Sequence, residues 1–180
     1  LATIVKEIQI SLLSPNDIIS DFDCGDPDRN DWFTKRAVRS TQSDDARTYV
    51  ARTREGEVIG FFALAVGSVM QAALPGKFRR NAPDPVSCVL LAQLGVSLAW
   101  QKQGVGRELI LEAMEQILRI AEIAGCRLFL VHHASPKLAD WYKRFGFLEV
   151  NLVPVPVMVM ALKDVRATLA AITRPPPGTA

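Results

Sequence analysis

Cysteine and histidine are scarce in this chain: three of the first and two of the second among 180 residues. Cys24, Cys88 and Cys126 lack CxxC spacing, which argues against both a disulfide framework and a zinc site. His132 and His133 are adjacent, and neighbours on a strand point to opposite faces, so they would not hold one ion together. No metal is expected. Long hydrophobic runs are also missing: no stretch of about 18 uncharged apolar residues exists, which argues against a membrane-spanning helix. The segment Leu1 to Glu7 has no basic run followed by an apolar one and does not read as a secretory signal. The expectation is a reduced, metal-free, cytoplasmic protein. Its length suits one domain with a sizeable core and is short for two.

An excess of one charge is lacking as well, since the net charge is only +2. The placement of the cations is less even. Lys35, Arg36, Arg39, Arg47, Arg52 and Arg54 crowd the first third, and Lys77, Arg79 and Arg80 form a tight cluster. Scattered cations ordinarily make a solvated face. A cluster inside a proline- and glycine-bearing loop reads instead as a contact for an anionic partner such as RNA.

Along the chain, Ile4 to Leu12 reads as a first strand and Phe22 to Gly25 as a turn. Asp26 then caps a helix that has Pro27 at its first position and Trp32, Phe33, Arg36 and Ala37 as a bulky face. Strands are expected at 48–53 and 58–69, joined at Glu55-Gly56-Glu57. Residues 73–85 read as an aperiodic loop, and 86–98 as the central buried strand. A long amphipathic helix begins near Val105, with Leu109, Ile110, Met114 and Ile117 at helical spacing and Gly125 as its stop. A short apolar strand at 128–131, a helix at 136–145, strands at 150–155 and 157–162 and a helix at 164–172 follow. Pro154 and Pro156 belong at an edge, a bulge or a bend. The order is mixed α/β in one domain, residues 1–172, with 173–180 as a disordered tail.

Between the central strand and the long helix lies Gln101-Lys102-Gln103-Gly104-Val105-Gly106-Arg107. A strand that feeds a helix through a glycine turn leaves backbone N–H groups unpaired at the positive end of the helix dipole, a seat for phosphate. Gly104 and Gly106 let the main chain approach an anion, and Gln101, Lys102 and Arg107 add polar groups at the rim.

Three features resemble the GNAT-type N-acetyltransferases over about Ile4 to Leu162. Gln101 to Gly106 looks like the family's acetyl-CoA motif. The strand end Leu94-Gly95-Val96-Ser97 stands where the family lays the pantetheine arm along open backbone groups. Ala139 to Phe147, with Trp141, Tyr142, Gly146 and Phe147, looks like its later helix motif. Phe22-x-Cys24-Gly25, Asn30-x-Trp32-Phe33, Arg47 to Val50 and Val58 to Phe62 resemble the toxin branch, of the TacT and AtaT kind. The resemblance implies a mixed, mostly antiparallel central sheet flanked by helices, with a V-shaped split between the fourth and fifth strands. It implies acetyl-CoA as cofactor, aminoacyl-tRNA as substrate, a ribbon-helix-helix antitoxin as partner and, by analogy, a homodimer.

On this reading Leu94, Gly95, Val96 and Gln101 to Arg107 hold the cofactor, with the Gln103 to Arg107 amides on its diphosphate. Tyr142 is the general acid, because a phenol with a pKa of roughly 10 is protonated at neutral pH and can donate to a departing thiolate. Lys77, Arg79 and Arg80 would meet tRNA phosphates, with Lys35, Arg36 and Arg39 on one helix extending the contact. Ser97 stands where this branch commonly has an acidic residue, so no general base is named. Alternatives are an acetyltransferase for small amines or protein N-termini, and a non-catalytic acyl-CoA-binding module.

Overall fold

The computed structural model describes residues 8–132, 135–152 and 155–173. The expected first strand is described from Gln9, and its start lies outside these residues, as do His133, Pro154 and 174–180 of the expected tail, while Thr173 is helical. The described chain forms two compact units, one of residues up to Ala65 together with Leu91–Ala113, the other of Val66–Leu90 and the chain from Met114.

In the first unit, Asp26 accepts the Arg29 N–H at 3.1 Å and Pro27 opens helix α1 (Pro27–Lys35). The helix stops where the Arg36 N–H returns to Trp32 O, and α2 (Ala37–Gln42) begins afresh. Strands β1 (Gln9–Leu12), β2 (Arg47–Arg52) and β3 (Val58–Val69) pair antiparallel, with Ile10 opposite Ala51 and Val50 opposite Phe61. The core of this unit is aromatic. Phe33 and Phe61 are fully buried and stacked at 3.9 Å between centroids, and Phe22 meets both edge-on at 4.8 and 5.4 Å. Burying each ring contributes about 1.5–3 kcal/mol, and such ring pairs add ~0.5–1.5 kcal/mol. Trp32 is half-buried and stacks on Phe61 at 6.1 Å, so it extends this core. Arg52 reaches Asp17 through two short hydrogen bonds, tying the 14–17 turn to β2.

The second unit holds the end of β3, the first part of β4 (Val86–Val96), the second half of α4 (Val105–Ala124), β5 (Leu128–His132), α5 (Pro136–Lys143), β6 (Leu148–Leu152), β7 (Val155–Ala161) and α6 (Leu162–Thr173). β5 and β6 both pair antiparallel with β7, with Leu130 and Leu148 each opposite Val159. The sheet is mixed and seven-stranded, in the order β1-β2-β3-β4-β5-β7-β6, with β4 and β5 parallel. Leu74, Phe78, Val86, Cys88, Leu128, Val157 and Val159 pack the core of this unit.

Several sequence boundaries move. The 73–85 stretch is not an unbroken loop: a 3-10 turn at Gln71–Ala73 and a short helix α3 (Gly76–Arg79) interrupt it, because Leu74 and Phe78 bury themselves and pin the backbone. β4 ends at Val96 rather than Leu98, since Leu98–Trp100 winds into a 3-10 turn. β6 starts earlier than expected, at Leu148. Pro156 lies inside β7, one residue beyond the His132–Val157 pair that ends the described register with β5. No helix among the described residues is long and apolar enough to cross a membrane.

Candidate active site

The chain leaves β4 through a tightly bonded turn. The Ser97 N–H donates to Ile59 O at 2.9 Å, and Ser97 O accepts the Trp100 N–H at 2.8 Å. Lys102 and Gly104 take positive φ angles of 61° and 93°, and α4 starts at Val105. Gly104 is suited to this position because it has no Cβ to strain. Its carbonyl accepts the N–H groups of Arg107 at 2.9 Å and Glu108 at 3.2 Å. Among the described residues, the N–H groups of Lys102, Gln103, Gly104, Val105 and Gly106 donate to no protein acceptor. This run of open amides sits at the positive end of a 20-residue helix, an arrangement that receives phosphate. It lies one residue earlier than the sequence implied, because a helical turn already uses the Arg107 amide.

The side chains of the turn mostly serve the turn itself. Gln101 was expected at the rim. Its amide instead donates inward, to Cys24 O at 2.9 Å and Val96 O at 3.0 Å. Gln103 donates to Ala99 O at 2.7 Å, and Arg107 pairs with Glu108 at 2.7 Å. Lys102 remains exposed. In β4, Leu94 and Val96 are half-buried and Gly95 is buried. A Cβ on Gly95 would stand 2.7 Å from Phe61 Cε1, so only glycine fits beside that ring.

A polar cluster that the sequence reading left without a role braces the turn from outside. Asn30 Oδ1 accepts the Cys24 N–H at 2.9 Å and the Cys24 thiol at 3.1 Å, while Asn30 Nδ2 donates to Asp23 Oδ1 at 2.7 Å. Asp23 Oδ1 also accepts the Gly25 N–H at 2.8 Å. The Gly25 and Asn30 hydrogen bonds hold the Asp23 carboxyl below its usual range. From this cluster Asp23 O accepts the Leu98 N–H at 2.9 Å, and Cys24 O accepts Gln101. The available signal was the Asx-glycine composition of the 23–25 turn, with Asn30 one helical turn beyond.

Ser97 brings no carboxylate to the end of β4; the indole N–H of the nearby Trp100 points to Glu57 at 3.4 Å. In the second unit, Ser135 caps α5 and accepts the Leu138 N–H. Tyr142 is buried on this helix, edge-on to Trp141 at 4.9 Å and to Phe147 at 5.6 Å. Trp141 and Phe145 share a face, as their spacing predicts. His132 is exposed at the end of β5. Burial pushes the Cys88 thiol up to about 11, with the nearby Cys126 adding to the effect, and burial raises Cys126 as well. Neither is poised as a nucleophile. No group of three or more His, Cys, Asp or Glu side chains forms a metal cluster among the described residues.

The cations divide differently from the sequence reading. Lys35, Arg36 and Arg39 do not share one helix: the chain breaks at Arg36, and Lys35 is ion-paired to Asp31. Arg47 pairs with Asp44 and Arg52 with Asp17. Lys77 and Arg79 sit on α3 and Arg80 caps it, all exposed, with the Lys77 ammonium 4.8 Å from the Phe78 ring centroid.

A strand, a glycine turn with open amides and a helix, set in a mixed sheet, make a phosphate-receiving site, and the family comparison gives it a class. The model of the acetyltransferase (GNAT) domain matches residues 44–149, and the chain belongs to that family. It is 36% identical over 157 residues to a tRNA-acetylating toxin of Mycobacterium tuberculosis, covering 87% of this chain and 93% of the relative. Among solved structures it is similar to AtaT complexed with acetyl-methionyl-tRNAfMet, at a TM-score of 0.81 and 25% identity, covering 89% of this chain and 98% of the other. The fold is also that of AtaTR bound with AcCoA, at a TM-score of 0.78 and 24% identity over 90% and 98% of the two chains.

Proposed function

We propose that this chain is the toxin of a toxin–antitoxin pair, an acetyl-CoA-dependent enzyme that acetylates the α-amino group of aminoacyl-tRNA and so blocks translation. The observation that carries the reading is the open amide run at Lys102 to Gly106, set at a helix start. The 36% identity to a tRNA-acetylating toxin supports the choice of substrate.

The amides receive the cofactor's diphosphate, and the main-chain groups of Leu94 and Val96 pair with its pantetheine amides. The substrate nitrogen lone pair forms a bond to the thioester carbonyl carbon, and the C–S bond breaks with its electron pair on sulfur. Tyr142 gives its phenolic proton to that sulfur, the nitrogen, positively charged once bonded to the carbonyl carbon, sheds one proton to water, and water returns a proton to the Tyr142 phenolate. An α-amine has a pKa of roughly 7.7–8.0, whereas a lysine amine near 10.4 would need about three units of help. A site with Ser97 in place of an acid therefore suits the α-amine. Lys77, Arg79 and Arg80 contact the tRNA, with a lesser share from Arg36 and Arg39. Such a substrate places the enzyme in the cytoplasm. A ribbon-helix-helix antitoxin and a homodimer complete the proposal.

Tyr142→Phe tests the chemistry. Acetylated aminoacyl-tRNA, read by mass spectrometry, should fall by about 10²–10⁴-fold while calorimetry shows unchanged acetyl-CoA affinity. Full activity in the Phe variant removes Tyr142 as the acid; no acetylated aminoacyl-tRNA from the unaltered chain removes the substrate assignment.

A further inference from the structure

The second unit contains a cavity of about 390 Å³ whose lining includes Lys77, Arg80, Arg127 and Lys163. Phe78 and Leu162 form part of its apolar floor, and no carboxylate lines it among the described residues. The cations arrive from separate places: the short helix after β3, the turn that follows it, the start of β5 and the first turn of α6. The fold fixes this convergence. The Leu162 N–H donates to Arg127 O at 3.0 Å, and Arg127 Nη1 donates to Asn81 O at 2.8 Å, leaving most of the guanidinium donors uncommitted.

Several cations elsewhere are neutralised by the protein's own carboxylates. Arg29, Lys35, Arg47, Arg52, Arg107, Arg119 and Lys143 each meet a carboxylate. None of the cations in the cavity has such a partner among the described residues. Like charges gathered around a low-dielectric floor repel one another, and the cheapest relief is an anion from outside. The volume is at the lower end of small-ligand sites.

We propose that this cavity is a phosphate seat for the tRNA backbone, assembled from Lys77, Arg80, Arg127 and Lys163. The proposal rests on the tRNA reading above and deepens it. Arg127 and Lys163 join the contact, while Arg79 falls outside the cavity. Arginine forks and lysine ammonium groups suit phosphodiester oxygens. An acidic peptide is the poorer occupant. The strand residues here belong to β5 and β7, each flanked by a neighbour on both sides, so no free strand edge is offered to a peptide main chain.

The test uses the full chain and deacylated tRNA, so that binding is read apart from acetylation. Each lost phosphate contact should weaken binding about five-fold at 0.15 M salt and reduce the slope of log affinity against log salt by ~1. Arg80→Ala with Lys163→Ala should therefore weaken binding roughly 25-fold and flatten the slope by about two. Lys163→Arg should restore most of its share, and Arg79→Ala should do less than either single variant. Acetyl-CoA affinity reports that each variant is folded. Unchanged affinity and slope in the double variant overturns the proposal. Polyglutamate binding with the same dependence on Arg80 and Lys163 overturns it in favour of an acidic peptide. Loss of acetylation by the unaltered chain, with pocket-dependent tRNA binding intact, would instead fault the catalytic assignment.

Discussion

Gly95→Ala places one methyl group where β4 has no room for it. The added carbon would lie 2.7 Å from Phe61 Cε1, 3.3 Å from Phe61 Cζ and 3.3 Å from Arg29 Cδ. Carbon atoms rest at about 3.5–4.0 Å, so the Phe61 ring or the strand must yield by nearly 1 Å. Arg29 can swing its far end; Phe61 cannot. It is fully buried, with Phe33 stacked on one face at 3.9 Å and Phe22 against it at 5.4 Å. The backbone therefore moves, in the segment of β4 that the proposed function sets along the pantetheine arm. Overpacking of this kind destabilises by about 1–3 kcal/mol. For a chain of this size that lowers the melting temperature by roughly 2–12 °C. Thermal unfolding followed by circular dichroism reads the loss, and calorimetric titration should show weaker acetyl-CoA binding. Phe61→Leu removes the obstructing atoms, so the double variant should lose less than the sum of the single ones, by about 0.5 kcal/mol or more. Gly76→Ala is the control: nothing lies within 4 Å of its added carbon, and it should be close to neutral. A neutral Gly95→Ala, or strict additivity with Phe61→Leu, would refute the steric reasoning.

Gln101→Ala removes the inward bonds to Cys24 O and Val96 O, each with a net contribution of about 0.5–1.5 kcal/mol. Acetyl-CoA affinity should fall about 3–10-fold with Tyr142 chemistry intact, and an unaltered dissociation constant would deny the brace its role. For Asp17, burial pushes the carboxyl up, but hydrogen bonds from Arg52 and the Ser14 N–H, together with the Arg52 charge, outweigh it and leave the folded value low. The unfolded chain then binds the proton first, so this contribution is full above about pH 5 and is lost as pH falls through the folded value. Urea midpoints measured from pH 7 to pH 3 should drop at the acid end, less steeply in Asp17→Asn; identical acid slopes would count against the linkage.

Local chemistry was legible wherever neighbours in sequence decide the structure. The Asp26-Pro27 start, the turn at Gly56 and the glycine that opens α4 each depend on a few adjacent residues, and each lies where expected. The mixed sheet and the acetyltransferase family followed from ordered motifs. The boundaries that moved were set by partners far along the chain. β4 stops at Val96 because Ser97 is held by Ile59 and Leu98 by Asp23. α3 forms inside an aperiodic stretch because Leu74 and Phe78 find a buried place against β4 and β5. The helix expected to display Lys35, Arg36 and Arg39 together breaks at Arg36.

The same distinction governs the charged residues, and there it bears on function. A run such as Lys77, Arg79 and Arg80 is conspicuous as a sequence, yet Arg79 lies outside the cavity that its neighbours line. Arg127 and Lys163 are inconspicuous in the sequence, since the first is 46 residues from the Asn81 carbonyl that holds it. What sets Lys77, Arg80, Arg127 and Lys163 apart is that the fold gathers them around one cavity with no carboxylate in its lining among the described residues, and that is a property of tertiary contacts. Arg52 reads in the sequence as part of a basic surface and is consumed by Asp17; Lys163, which no sequence pattern singles out, lines the cavity with three other cations and no carboxylate among the described residues. Unneutralised charge that the fold concentrates marks where a polyanion is received, and sequence density alone is a poor guide to it.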